Sequence, residues 1–361
     1  MFTYERVFVY NNVMNFEIFL KDCDCAILTS PASLYYLSGF DQSDAIIVIT
    51  KENAYYLTNP LYEVAVKGAV RRDLTVKILS RKAIAAFVRT QADAAEKVGV
   101  ECEDISLARY RALIGSFNRE IVDLSPILAK ARLRKRRDEL AIMKQAEGIV
   151  DLAFSETLAS LKAGVTEKEI RDRILFSLLK HGAEGTAFDT IVAFGENAAM
   201  PHAVPSDRAL KEGDCVLMDF GARYKGYASD FTRTVCFGKP SEKFLEAYRV
   251  VLAAQNAAIT YLKKGGRSAA EADRAARRVV DDSPFHGAFN HTLGHGVGIE
   301  IHEAPSLAEH SLDILEENMV FTLEPGIYVE GEFGIRIESL VTIENGQLTV
   351  IDRSDKEIYI V

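Results

Sequence analysis

The sequence predicts a protein of two mixed domains: a smaller α/β unit over residues 1–130, then an α+β unit over residues 131–361 made of two pseudo-twofold halves. Three observations predict it. The chain has 361 residues, 48% of them hydrophobic, which is too long for one ordinary domain and enough to bury a large core. Short apolar runs alternate with helix-like stretches from residue 14 to about 128. Beyond them, one series of helix stops and starts occurs twice, about a hundred residues apart.

In the first domain the apolar runs at 25–29, 45–50 and 54–58 read as strands, and 83–95 reads as a helix. A basic run follows (Lys130, Arg132, Arg134, Lys135, Arg136 and Arg137) and leads into a helical pattern from Glu139. It lacks interleaved aromatics, so it reads as a solvated linker and helix start at the domain boundary. That helical pattern closes at Leu161-Lys-Ala-Gly164, and Thr166 with Glu169 forms a capping box for a second helix through Leu179. The device recurs. A pattern from Ser241 closes at Leu262-Lys-Lys-Gly265, and Ser268 with Glu271 opens a second helix through Val280. Strand-like runs follow each pair, at 215–219 and 232–236 in the first half and at 319–323 and 335–343 in the second.

A net charge of -9 disfavours a nucleic-acid-binding face, which would need clustered Lys and Arg in excess, and favours small or peptidic substrates. The Met1 end shows no basic stretch followed by an apolar run, and no segment reaches the roughly 18 apolar residues of a membrane span. A cytoplasmic protein is expected. The five cysteines are scattered and odd in number, as suits reduced thiols, and Cys23 and Cys25 read as packing residues.

Four acidic residues lie inside apolar strand patterns, where a bare charge is costly to bury: Asp219, Asp230, Glu324 and Glu338. Each must be paired, protonated or coordinated to a cation, and coordination accounts for all four together. Four of the seven histidines (His286, His291, His295 and His302) fall within seventeen residues. Gly294, Gly296 and Gly298 surround His295, which permits unusual dihedrals or close approach of a ligand or backbone. One imidazole with four carboxylates is an oxygen-rich set that suits a pair of manganese ions, with cobalt, iron or zinc as alternatives.

The order of these residues resembles the pita-bread metallopeptidases, the group of Xaa-Pro aminopeptidases, prolidases and methionine aminopeptidases. The resemblance covers essentially the whole chain. It is carried by Phe188-Asp-Thr-Ile-Val-Ala-Phe-Gly195, Pro201-His202, Asp219-Phe-Gly-Ala222, Asp230-Phe-Thr-Arg-Thr234, Gly294-His-Gly-Val-Gly298, His302-Glu-Ala-Pro305, Glu324-Pro-Gly-Ile-Tyr328 and Ile335-Arg-Ile-Glu338. Upstream, Tyr36-Leu-Ser-Gly-Phe40 resembles a creatinase-type amino-terminal domain. The resemblance implies a pita-bread catalytic domain behind a creatinase-type one, and two divalent ions per chain. By it, Asp219 chelates one ion, His295 and Glu324 hold mainly the other, and Asp230 and Glu338 bridge both. It implies a shared water as nucleophile, Glu324 as proton carrier, and His202 and His302 as catalytic histidines lining the substrate site. Arg336 is expected to orient the ligands. His291 corresponds to an active-site histidine of some relatives or is structural, and Tyr227 either hydrogen-bonds the site or packs a strand.

The amino-terminal domain favours Xaa-Pro enzymes, because methionine aminopeptidases resemble only the second domain. Many prolidases carry Arg directly after the His-Glu-x-Pro motif to grip a dipeptide carboxylate, and here that position is Ser306. The expected activity is therefore Xaa-Pro aminopeptidase, with Xaa-Pro dipeptidase (prolidase) as the alternative; Arg267, Arg277 or a partner subunit remain possible carboxylate ligands. Asn59-Pro-Leu-Tyr62 stands where relatives often have Asp-x-Arg-Tyr, and Ser339 replaces a frequent Asp. The expected partners are peptides with proline at the second position and a second copy of the chain. A metal-free creatinase-like amidinohydrolase and a noncatalytic binding protein are the competing classes, and the complete ligand set argues against both.

Overall fold

The computed structural model describes residues 14–115 and 119–361, so the reading of the extreme Met1 end lies outside the described residues. Contacts divide the chain between Arg132 and Leu133. The first unit is built on a six-stranded sheet of β1 (Cys25–Leu28), β2 (Ile46–Thr50), β3 (Ala54–Thr58), β4 (Thr75–Ile78), β5 (Lys97–Val100) and β6 (Glu120–Asp123), in the order β4-β3-β2-β1-β5-β6. β1 is central and buried throughout. Its alternating side chains send Cys25 and Ile27 into one core and Ala26 and Leu28 into another, so both faces are covered and no polar alternation appears in the sequence. The helix foreseen at 83–95 runs Arg81–Asp93, capped by the Ser80 side chain, and buries Ile84, Val88 and Ala92 at helical spacing. Cys23 and Cys25 are buried and unbridged, and burial pushes the Cys25 thiol up to about 12, which leaves it inert.

The second unit repeats a helix pair and a sheet. Arg137–Leu158 and Glu167–Lys180 precede β7 (Gly185–Thr186), β8 (Ile191–Phe194), β9 (Cys215–Phe220), β10 (Ala222–Tyr224), β11 (Tyr227–Ala228) and β12 (Phe231–Cys236). Glu242–Lys263 and Ala269–Asp281 precede β13 (Gly294–Gly296), β14 (Glu303–Leu307), β15 (Val320–Leu323), β16 (Gly326–Val329), β17 (Phe333–Arg336), β18 (Ser339–Glu344) and β19 (Gln347–Val350). The core sheets are antiparallel, ordered β12-β9-β8 in the first half and β14-β13-β15-β18-β19 in the second.

The two halves match in detail. Thr166 and Ser268 each cap the second helix of their pair, and each forms an isolated antiparallel bridge to a downstream loop, at Ala209 and Ile314. Each of those helices also carries a fully buried acid that fixes backbone in a strand or directly before one. Glu167 accepts from the Phe194 N–H at 2.8 Å, and Asp273 accepts from the Leu293 N–H at 3.0 Å.

Two local expectations are corrected. The basic run is not a solvated linker throughout: its first residues end the Ser125–Leu133 helix, and Lys135 is buried, 2.7 Å from the buried Glu303 carboxylate. A charge in an apolar surrounding must be paired, and pairing was invisible in a stretch read by composition. The run 335–343 is not one strand either. It breaks between β17 and β18 at Ile337 and Glu338, where the backbone turns the Glu338 side chain toward the other half.

Glu147, on the inner face of the Arg137–Leu158 helix, is fully buried with no hydrogen-bond partner on either carboxylate oxygen. Burial above all, then the charges of Asp352, Asp151 and Glu338, hold its carboxyl well above its ordinary 4.5. The folded chain therefore keeps a proton that the unfolded chain releases, so stability falls as pH rises from 4.5 through the folded value. Glu147→Gln removes this titration with little change of shape. Urea unfolding in chelator is expected to give a higher midpoint for the variant than for wild type at pH 8, and near-equal midpoints at pH 4.

Candidate metal centre

The four carboxylates come from equivalent places in the two halves. Asp219 lies at the end of β9 and Glu324 just after β15, the middle strands of the two sheets. Asp230 directly precedes β12, and Glu338 directly precedes β18. The Glu338 N–H donates to the Thr232 carbonyl at 3.1 Å, which draws the two halves together at this point.

Asp219, Asp230 and Glu338 each present a carboxylate oxygen, and these oxygens lie within 4.8 Å of one another. Glu324 sits beside them through His295, whose Nε2 is 3.3 Å from Glu324 Oε1 and 3.5 Å from Asp230 Oδ2. All nine residues singled out in the sequence, namely Asp219, Asp230, His295, Glu324, Glu338, His202, His302, His291 and Arg336, line one cavity of about 880 Å³.

His295 is fixed from behind. Its Nδ1 donates to the Gly296 carbonyl at 3.0 Å, which turns Nε2 toward the carboxylates. A register shift between His295 and Gly296 breaks the β13–β14 ladder there and re-aims the ring. The flanking glycines make room for neighbouring backbone. A Cβ at Gly294 would lie 2.1 Å from the Thr322 carbonyl, and one at Gly296 would lie 2.0 Å from that of Ala304.

Burial first, then neighbouring carboxylates, hold Asp230 and Glu338 well above the usual carboxylate range. Asp219 is raised less because the buried Arg336 guanidinium donates to it. Burial also opposes ionisation of Glu324, but the hydrogen bond and charge of His295 outweigh it and bring that carboxyl down to about 2. One guanidinium and one imidazole are too little positive charge for four carboxylates in a desolvated space. Glu338 Oε1 is buried with no hydrogen-bond partner, as befits an atom held for a cation. The donor set fits hard divalent ions.

Around the carboxylates lie groups that sequence reasoning missed. The Thr232 hydroxyl donates to Glu338 at 2.7 Å, and the Thr322 hydroxyl donates to Glu324 at 3.0 Å. Gln255 Nε2 donates to the carbonyls of Leu323 and Ile337 at 2.9 and 3.0 Å, each one residue before a candidate ligand. A glutamine on the apolar face of a helix was the signal available for it. Arg336 donates to Tyr328 Oη at 2.6 Å, and that oxygen lies 3.0 Å from His291 Nε2. The other His291 nitrogen faces the Thr292 carbonyl at 2.8 Å, so both ring nitrogens are committed and His291 supports Arg336 and Asp219 from behind. His202 and His302 are exposed to the cavity, and His302 rests edge-on against His295 at 4.4 Å. The Tyr227 hydroxyl donates to Glu139 at 2.6 Å.

Comparison with known proteins gives a consistent result. Metallopeptidase family M24 matches residues 141–345, and the creatinase/prolidase N-terminal domain matches residues 20–134. The chain is 36% identical to an Xaa-Pro dipeptidase of Lactobacillus delbrueckii subsp. lactis, over 93% of this chain and 94% of that one. Among solved structures, an Xaa-Pro dipeptidase from Bacillus anthracis superposes with a TM-score of 0.88 at 35% identity, over 94% and 95% of the two chains. An X-Pro aminopeptidase from Thermotoga maritima superposes with a TM-score of 0.87 at 35% identity, over 94% and 98%.

Proposed function

The chain belongs to metallopeptidase family M24, with a creatinase/prolidase N-terminal domain, and from that premise we propose that it hydrolyses the peptide bond preceding proline in Xaa-Pro dipeptides. It is a metallo-exopeptidase with the pita-bread fold. The dipeptidase reading takes precedence over the aminopeptidase reading that Ser306 suggested, because the Lactobacillus and Bacillus anthracis relatives are dipeptidases. The observation that carries the proposal is the convergence of four carboxylates and His295 on one cavity that also exposes the rings of His202 and His302.

In this reading Asp219, Asp230, His295, Glu324 and Glu338 hold two divalent ions, manganese being the first choice for so oxygen-rich a set. Bound there, the ions supply Lewis acidity to the scissile carbonyl and lower the pKa of water. Glu324, on the cavity wall beside His295, takes the proton of the attacking water and returns it to the departing proline nitrogen. His202 and His302 donate hydrogen bonds to the substrate carbonyl as negative charge develops on it. Arg336 keeps Asp219 in position, with Tyr328 and His291 behind it.

The aminopeptidase reading has two observations of its own, the serine at position 306 and the equally good superposition on the Thermotoga maritima enzyme. Initial rates on Ala-Pro and Ala-Pro-Ala, after loading with Mn, Co or Zn, separate the two. The dipeptide is expected to have a kcat/KM about tenfold or more above the tripeptide, since a site that binds a terminal carboxylate gains a charge-assisted contact. A preference for the tripeptide would restore the aminopeptidase reading, and cleavage of neither would refute both.

A further inference from the structure

A dipeptide differs from the start of a longer chain by the free carboxylate on its second residue. A site that selects dipeptides therefore needs a cationic group facing the cavity and not committed elsewhere. Ser306 cannot serve: it lies outside the cavity lining, and its N–H is bonded to Asp313. The two arginines considered from the sequence are also engaged away from the cavity. Arg267 donates to the carbonyls of Leu262, Gly266 and Gly346. Arg277 is held by the buried Asp273 and by two backbone carbonyls, and neither arginine lines the cavity.

Among the described residues that line the cavity, the permanent cations are Arg336 and Arg171. Arg336 is fully committed to Asp219, Tyr328 and Thr232. Arg171 is different. It lies on the Glu167–Lys180 helix, one turn beyond Glu167, whose carboxylate accepts from Ser206 at 2.8 Å and so anchors the loop carrying His202. Its guanidinium is bonded to Asp172, its chain neighbour, whose side chain is 65% exposed. An exposed pair of this kind is weak and readily exchanged for a better-matched anion.

We infer that Arg171 is the specificity residue of this site, swinging from Asp172 to grip the free carboxylate of the substrate's second residue. The planar guanidinium offers the paired donors that a carboxylate accepts, and the exchange leaves Asp172 to water. This inference rests on the Xaa-Pro reading proposed above and assigns the source of its preference for dipeptides.

The test uses the full metal-loaded protein with Ala-Pro and its amide, which has the same shape without the carboxylate charge. For Arg171→Ala, the ratio of kcat/KM for the dipeptide to that for the amide is expected to fall about tenfold to hundredfold, the worth of a hydrogen bond to a charged group. The loss should appear in the KM of the dipeptide, and Arg171→Lys should recover part of it by keeping the charge without the fork. An unchanged ratio in Arg171→Ala, with wild type cleaving both substrates, overturns the inference and leaves the Xaa-Pro reading standing. Wild type that cleaves neither substrate refutes both.

Discussion

Replacing Asp230 or Glu338 with alanine is expected to abolish hydrolysis, with kcat/KM down on the order of 10³-fold or more, because several kcal/mol of transition-state stabilisation depends on the ions that these residues hold. Each carboxylate stands in the trio whose oxygens lie within 4.8 Å of one another, so each loss leaves two cations with less compensating charge. The loss will not come from unfolding. In the metal-free protein both carboxyls are held well above the usual range, chiefly by burial, so the folded state retains protons that the unfolded chain releases. Stability of the metal-free protein therefore falls as pH rises through that window, and removing one of these groups relieves the strain. In chelator at pH 7, the alanine variants should melt no lower than wild type. Activity near wild type in either variant would refute their assignment as ligands.

Glu324→Gln is expected to separate binding from chemistry. Glutamine keeps the volume and one oxygen donor of Glu324 but cannot take a proton from water. A proton carrier typically contributes 10²–10⁴-fold, so kcat should fall by about that factor while KM and bound metal change little. Single-turnover rates together with metal analysis of the same preparation check both. A variant that loses metal as completely as Glu338→Ala would make Glu324 a ligand without a role in proton transfer.

How much of this was legible in the sequence depended on which force fixed each residue. Buried acids in apolar strands are costly enough to stand out, so Asp219, Asp230, Glu324 and Glu338 could be named from pattern, and the structure gathers all four in one cavity. The matched helix pairs were legible because caps are local signals: the helix starts lie within two residues of the reading, Thr166 and Glu169 form the expected capping box and Ser268 caps its helix alone, while the first helix ends at Leu158, three residues before the Leu161–Gly164 stop. Long-range pairing was not legible. Nothing near Lys135 announces Glu303, which lies 168 positions away, and nothing near Gln255 announces the carbonyls of Leu323 and Ile337. The break in the run 335–343 is of the same kind, since its cause is the placement of Glu338 beside the other half. The glycines around His295 were noticed for the right reason but with the choice left open. The structure shows that backbone carbonyls occupy the space a Cβ would need at Gly294 and Gly296, and the Glu303 carboxylate occupies it at Gly298.

The central claim is that the seam between the two halves is a centre for divalent cations held by Asp219, Asp230, His295, Glu324 and Glu338. Equilibrium dialysis of purified, chelator-treated protein against Mn, with bound metal counted by mass spectrometry, tests it most directly. The account predicts two ions per wild-type chain, a sharp loss in Glu338→Ala, and hydrolysis of Ala-Pro restored in step with the metal taken up. A folded wild-type chain that takes up no divalent ion, or a Glu338→Ala chain that takes up as many as wild type, would contradict it.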